Sequence, residues 1–247
     1  MSRLRISASQ RPDARYGDQV TETFRFVCAT RETRDDFFLK TALGRSLSIY
    51  NAPFAEITLF DSNTSGLPTL YNEALRDAAS DPAILIFVHD DLHLCDFYWH
   101  VHVLAGLRKF DIIGLAGNRR RVPRQPAWLY LDDAWTMDTP GNLSGMIAHG
   151  TTFPPAHLSS YGPTGQPVKL LDGVFLAARS RVLHARKLQF DEQFDFHFYD
   201  LDFCRQAEAA RLSMGTWTIS AIHESTGAFG SQSWKTAYEK YLQKWQG

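Results

Sequence analysis

Long apolar runs are missing from this chain. Its most hydrophobic stretch, Ala83-Ile84-Leu85-Ile86-Phe87-Val88, ends after about six residues, far short of the roughly 20 a membrane-spanning helix needs. The segment from Met1 to Gln19 is polar, rich in Arg and Ser, and lacks the apolar stretch of a secretory signal, so cytoplasmic residence is expected. Excess charge of either sign is missing too. With a formal net charge of -1, no global field recruits nucleic acid or an anionic membrane, and nucleic acid is not expected as a partner. Cysteine is scarce: Cys28, Cys95 and Cys204 are odd in number, widely spaced and set among apolar or aromatic neighbours, which reads as thiols rather than disulfides or a thiolate zinc site. No internal repeat is visible. What is present is a chain of 247 residues with 44% hydrophobic content, enough for one α/β domain with a sizeable core.

Strand-like and helix-like segments alternate along it. Phe24 to Ala29, Glu56 to Phe60, Ala83 to Val88 and Asp111 to Gly117 read as strands, separated by helical patterns over Asp35 to Tyr50, Leu70 to Ala79 and Phe97 to Lys109. This order predicts a single α/β domain whose central sheet is mainly parallel and flanked by helices. Residues 1–22 are expected as a flexible arm and 23–247 as the domain. Between 118 and 168 the periodicity gives way to Pro, Gly, Trp and Tyr, the composition of a long loop or lid. Order returns with a buried strand from Leu170 to Ala178, a short helix to Arg186 capped by Ser180, a helix opened by Tyr199-Asp200-Leu201-Asp202, a strand from Thr216 to Ile222, and an amphipathic helix from Ser233 to Trp245.

The most informative residues are Phe87-Val88-His89-Asp90-Asp91-Leu92. A strand buried on both faces delivers two adjacent carboxylates to its carboxyl end, the edge of open α/β sheets where ligands bind. Adjacent acids raise one another's pKa unless a cation neutralises them, and a divalent ion held by one or two carboxylates and a substrate's phosphates is the economical explanation. An exposed acidic turn is the simpler alternative. Trp128, Tyr130 and Trp135 suit stacking on a sugar or other ring, with Asp132 and Asp133 as acceptors, or else pack their loop onto the sheet. Arg119-Arg120-Arg121 suits phosphate oxygens or a solvated loop. Asp200 and Asp202 sit among aromatics that perturb a pKa, whereas a helix cap needs only one acid. His223 arrives at a strand end as a candidate ligand.

Asp61 at a strand end, the helix bearing Tyr71-Asn72-Glu73-Ala74, His89-Asp90-Asp91, Asp172-Gly173, Phe190-Asp191-Glu192-Gln193-Phe194, Tyr199-Asp200-Leu201-Asp202 and a late His223 follow the order seen in nucleotide-sugar glycosyltransferases of the GT-A fold. Over residues 24–225 the chain resembles their inverting family-two group, and within it the StrF-like branch of streptomycin biosynthesis. The resemblance implies a Rossmann-like GT-A domain, a nucleoside-diphosphate sugar donor of UDP, dTDP or GDP type, a glycan or small-molecule acceptor, and Mn²⁺ or Mg²⁺. It implies that Asp61, Asn72 and Asp90 face the donor, that Asp91 holds the metal with His89 and His223, that Asp172 and Gly173 face sugar and acceptor, and that Asp200 is the general base; Trp128, Trp135 and Asp202 join the sugar and acceptor side on their residue types alone. Two positions depart from the family pattern: His89 stands for the first acid of the Asp-X-Asp motif, and Tyr199 for the Glu before the base. A metal-dependent phosphoester or diphosphate hydrolase and a silent sugar-nucleotide or glycan-binding module stay open as alternatives. Oligomeric state is not legible.

Overall fold

The computed structural model describes residues 3–7, 22–50, 54–225 and 229–246. In chain order its elements are β1 (Arg3–Ser7), β2 (Phe24–Ala29), α1 (Arg34–Lys40), α2 (Ala42–Ile49), β3 (Ala55–Phe60), α3 (Leu67–Asp77), β4 (Ile84–Val88), β5 (Leu92–Leu94), α4 (Trp99–Lys109), β6 (Ile112–Gly114) and β7 (Ala116–Asn118). There follow β8 (Leu143–His149), β9 (His157–Gly162), β10 (Leu170–Leu171), β11 (Phe175–Arg179), α5 (Ser180–Ala185), α6 (Tyr199–Ala209), β12 (Met214–Thr216), β13 (Ala221–His223) and α7 (Gln232–Trp245).

The central sheet runs β1-β3-β2-β4-β11-β6-β12. Its β3, β2 and β4 are parallel, joined by helices as the alternation predicts. The sheet is mainly parallel, as expected: β6 and β12 run in the same direction as these three, and the two reversed strands are β11, antiparallel between β4 and β6, and β1, antiparallel to β3. Parallel neighbours need a crossover connection, usually a helix. The chain reaches β11 from β6 by way of a second sheet instead, so nothing imposes a crossover. Residues 3–7 of the expected arm form this edge strand, while 8–21 lie outside the described residues.

The second sheet runs β10-β7-β8-β13-β5, with β9 also on β8. It corrects the reading of 118–168 as irregular, since β8 and β9 are an antiparallel pair within that stretch. Gly145 explains why the pattern was hidden. It sits at a register shift in β8 with φ +108, and a Cβ there would meet the Leu115 carbonyl at 2.1 Å, so the strand carries a glycine where periodicity wants an apolar side chain.

Three expected strands prove to be corners between the sheets. The run through Leu115 divides into β6 and β7, the run through Asp172 into β10 and β11, and the run from Thr216 into β12 and β13. The expected helix over Asp35 to Tyr50 is two helices, because Thr41 Oγ1 donates to the Phe37 carbonyl at 2.8 Å and accepts the Gly44 amide at 3.0 Å, ending one and capping the next. Ser180 does not cap α5; its Oγ accepts the Ala83 amide at 3.1 Å and ties α5 to β4.

Every residue of β4 is buried, as its unbroken apolar sequence requires of a central strand. Trp99 of α4 packs edge-on against Phe24 and Phe26 of β2, with centroids 5.1 and 4.9 Å apart. Helix α7 lays Trp234, Tyr238 and Tyr241 over Phe198, the residue that leads into α6. No helix among the described residues is long and apolar enough to cross a membrane.

Candidate active site

Four elements fix the acidic turn after β4. The His89 amide donates to Val174 O at 3.1 Å, Asp90 O accepts the Leu43 amide of α2 at 2.9 Å, and Asp91 O accepts the Glu224 amide at 2.9 Å. Strand β5 then continues from Leu92, which lies opposite His223 in the antiparallel β5·β13 register. That register brings His223 Nε2 to 3.3 Å from Asp91 Oδ2. On the other side of Asp91, His89 Nδ1 lies 4.0 Å from Oδ1, and Oδ1 is buried without a hydrogen-bond partner. His89, Asp91 and His223 each offer one ligand atom, all within 4.8 Å of one another. Two imidazole nitrogens and one carboxylate, one of whose oxygens is buried and orphaned, fit a divalent transition ion better than Mg²⁺, which prefers oxygen donors.

Beside this trio opens a cavity of about 310 Å³. The Asp172-Gly173 corner forms one wall: Asp172 Oδ1 accepts the Val174 amide and Oδ2 accepts Trp128 Nε1–H, both at 2.9 Å. The start of α6 forms another. Phe198 adopts a left-handed conformation, φ 66, unusual for a bulky residue and sustained here by the α7 aromatics packed on it. The turn it makes directs Tyr199 and Asp200 into the cavity. Gly173 and α6 are in van der Waals contact: a Cβ at Gly173 would lie 2.5 Å from Tyr199 Oη and 2.8 Å from Asp200 Cβ.

The electrostatics separate the carboxyls. Burial, reinforced by the Asp172 charge, pushes Asp200 up to about 7 against the hydrogen bonds it accepts from the Leu201 and Gly173 amides. Burial acts on Asp91 in the same direction, but the hydrogen bond and charge of His223, with His89, outweigh it and hold that carboxyl down at about 2. Against its own burial, His223 is correspondingly raised by Asp91. Burial keeps His89 below the ordinary imidazole value. Asp90 is raised by burial, opposed by the 2.6 Å hydrogen bond from Thr30 Oγ1.

The structure gathers His89, His223, Asp172, Gly173, Trp128 and Asp200 around the cavity, with Asp91 against its histidine rim. Asp61 and Asp90 do not line it; they stand at the carboxyl ends of β3 and β4, and Asp61 Oδ1 is buried without a partner. Two further expected site residues do not line the cavity and are engaged in bonds that hold the fold. Asn72 is buried and clamps Phe190, donating to its carbonyl at 2.8 Å and accepting its amide at 2.9 Å. Asp202 is fully buried and held by Lys244 Nζ at 2.7 Å, Trp245 Nε1 at 2.8 Å and Gln206 Nε2 at 2.6 Å. Trp135 does not line the cavity either; its indole backs three lining rings, Tyr130 at 5.4 Å, Phe229 at 5.5 Å and Trp234 at 5.3 Å.

Sequence reasoning missed several lining residues. His149 and His157 stack across the β8·β9 pair at 4.7 Å, with His149 6.2 Å from His223; their signal was lost with the strands that carry them. Phe196, half exposed, lies 5.6 Å from the His89 ring. Tyr199, noted only as a departure, is a lining residue whose hydroxyl meets His89.

Among solved structures, the chain is similar to A197 from STIV, with 10% identity, 82% of this chain and 86% of that one covered, and TM-score 0.49. It is similar to TarS from S. aureus at 11% identity, covering 83% of this chain and 37% of that one, TM-score 0.47. It is similar to GalNAc-T7, solved with UDP, GalNAc and Mn²⁺, at 11% identity, TM-score 0.50, with 92% of this chain covered. The chain spans only 48% of GalNAc-T7, and at this identity the likeness is one of fold, the GT-A fold. No curated protein matches it. In sequence, residues 50–245, which carry every element of the cavity, match a family of glycosyltransferases. The chain therefore belongs to the Glycosyltransferase like family.

Proposed function

We propose that the protein moves a glycosyl group from a nucleoside-diphosphate sugar to an acceptor hydroxyl, with inversion at the anomeric carbon and a divalent cation held by Asp91, His89 and His223. One observation carries this reading: a single cavity joins two imidazole members of a cation donor set to a buried carboxyl, Asp200, poised near neutral pH. When bound, the cation stabilises negative charge developing on the leaving diphosphate. Asp200 takes the acceptor proton, a role suited to a base whose pKa lies close to the operating pH and worth about 10² to 10⁴ in rate. One such carboxylate suffices for inversion, because no covalent intermediate needs a second. Asp61, with its unpartnered buried oxygen at the β3 end, is assigned to the nucleoside, and Asp90 to the same donor side.

Acceptor chemistry follows from the lining. None of the described residues around the cavity is Lys or Arg, whereas Asp172 and Asp200 are acids and Tyr130, Phe196, Phe229 and Trp234 present rings. Such a wall favours an uncharged, hydroxyl-bearing ring, a glycan or a small glycosidic or phenolic molecule, over a phosphorylated acceptor. The stretch 118–168, including β8 and β9, is assigned to this acceptor side. Membership of the StrF-like branch and a cytoplasmic location belong to the same proposal; the free, buried Cys28 and Cys204 agree with the latter.

The test is calorimetry of UDP, dTDP and GDP with Mn²⁺, with UDP first because GalNAc-T7 was solved with it, followed by transfer from the matching sugar nucleotides to neutral acceptors. Diphosphate release at an equal rate with and without every acceptor would favour the hydrolase reading. Binding without turnover would favour the silent module.

A further inference from the structure

Tyr199 Oη donates to the Gly173 carbonyl at 2.8 Å, and a carbonyl only accepts, so the phenol's single proton is committed there. The same oxygen lies 2.8 Å from His89 Nε2. With the phenol proton engaged, this second contact requires a proton on Nε2 that points at the phenol lone pair. A neutral imidazole carries one ring proton, which leaves Nδ1 bare. Nδ1 is the nitrogen facing Asp91, at 4.0 Å.

We infer that Tyr199 is a positioning residue that fixes His89 as its Nε2–H tautomer and thereby presents Nδ1 as a ligand atom for a divalent cation. The claim rests on the metal centre assigned to Asp91, His89 and His223 above. Without the phenol, the tautomer would be set from the opposite side: the Asp91 carboxylate draws a proton onto Nδ1, where it blocks the lone pair a cation needs. The phenol is well placed to win, being buried to 2% exposure and packed among Tyr71 and Phe190 with ring centroids 5.8 and 6.1 Å away. One hydroxyl also ties the two halves of the site, because Gly173, the residue whose carbonyl it holds, donates its amide N–H to Asp200. The two positions at which the sequence departs from the family pattern, His89 and Tyr199, are thus partners in one hydrogen bond.

The experiment is nitrogen NMR of ring-labelled histidine in the metal-free protein at roughly pH 8, above the ordinary imidazole value of about 6.5, with His89 assigned from its loss in His89→Gln. Mn²⁺ calorimetry accompanies it. The wild-type spectrum should show His89 with Nε2 protonated. Tyr199→Phe, which removes one oxygen and keeps the ring, should populate the Nδ1–H form and weaken Mn²⁺ binding by about 10 to 100-fold, the usual cost of losing a partner that orients a ligand. In a His89→Asp background, where residue 89 has no tautomer, Tyr199→Phe should leave Mn²⁺ affinity unchanged. An Nδ1–H signal in the wild type, an unmoved tautomer in Tyr199→Phe, or an equal loss of affinity in both backgrounds would overturn the inference. No cation binding by the wild type would instead remove the metal centre itself, a failure the metal-free spectra keep separate.

Discussion

The Gly173 amide donates to Asp200 Oδ2 at 3.0 Å, so the corner between the two sheets holds the carboxyl assigned as base. Only a residue without a Cβ allows this approach, since an added carbon would overlap Tyr199 Oη and Asp200 Cβ. Gly173→Ala should therefore displace both groups. Expected effects are about 1 to 3 kcal/mol of lost stability from overpacking and about a 10²-fold fall in transfer from misplacing the base by a fraction of an ångström to one. Melting curves and steady-state transfer check the two numbers, and an undiminished rate would detach the corner from the chemistry.

Asp91→Asn tests the cation site. Because His223 and His89 hold the Asp91 carboxyl at about 2, it stays ionised throughout the neutral range, and loss of cation on acidification must come from protonation of the imidazoles. His223 is the one raised by its partner, so Mn²⁺ affinity should drop between pH 8 and pH 6 in the wild type. Asp91→Asn should lower affinity by more than the roughly 10 to 100-fold typical of an outer partner, and Mn²⁺ should bind more tightly than Mg²⁺. Calorimetry at the two pH values decides; equal Mn²⁺ affinity in wild type and variant would move the ion elsewhere.

Tyr130→Ala tests the acceptor wall. Its ring lines the cavity and meets Trp135 and Phe229 edge-on, so truncation removes a stacking face without touching the cation residues. Acceptor KM should rise by about 3 to 10-fold, in line with the roughly 0.5 to 1.5 kcal/mol of an aromatic contact, while nucleotide affinity holds. A KM rise for the donor alone would reassign that wall.

What was legible in the sequence, and what was not, follows from what periodicity reports. The limits of β2 match the Phe24 to Ala29 run, and β4 with its acidic end matches the strand read there, because a strand buried on both faces writes itself as an uninterrupted apolar run. The same property hid the corners at Leu115 and Asp172: each run is buried on both sides of the corner, and burial does not say which sheet does the burying. Asp200 and Asp202 differ for a reason the sequence did contain. Residues two apart on an α-helix are about 200° apart around it, so if one faces the cavity the other faces away.

Asp202→Asn accordingly separates fold from site. The carboxylate joins α6 to α7 through Lys244 and Trp245, and neutralising it leaves the ammonium without its buried partner. Because Lys244 is partly exposed and also meets Asp191 at 2.6 Å, the expected loss is about 1 to 2 kcal/mol rather than the 3 to 5 of a fully buried pair. Melting temperature should fall while Mn²⁺ and nucleotide affinities stay put. A donor-affinity loss in a protein of unchanged stability would return Asp202 to the site.

The pH dependence of transfer tests Asp200 most directly. Its folded pKa of about 7 lies above the ordinary carboxyl value, so the native state holds a proton that the unfolded chain has released between about pH 4 and pH 7. Across that window the group's contribution to stability is therefore lost as pH rises, while the fraction of ionised base, and with it kcat/KM, increases to a plateau above a midpoint near 7. With Mn²⁺ kept saturating across the range, so that imidazole protonation does not empty the cation site, Asp200→Asn should remove the acid limb, lower transfer by about 10² or more, and leave cation and nucleotide affinity nearly intact. Asp172→Asn supplies the second arm. It deletes the charge that helps burial raise Asp200, so the midpoint should move to lower pH; because its one oxygen can accept from Trp128 or from the Val174 amide but not from both, the plateau rate should also fall. Rate profiles from pH 5 to 9 on the wild type and both variants distinguish the outcomes. An acid limb that survives in Asp200→Asn belongs to another group, and an unmoved midpoint in Asp172→Asn would mean that desolvation alone sets the base.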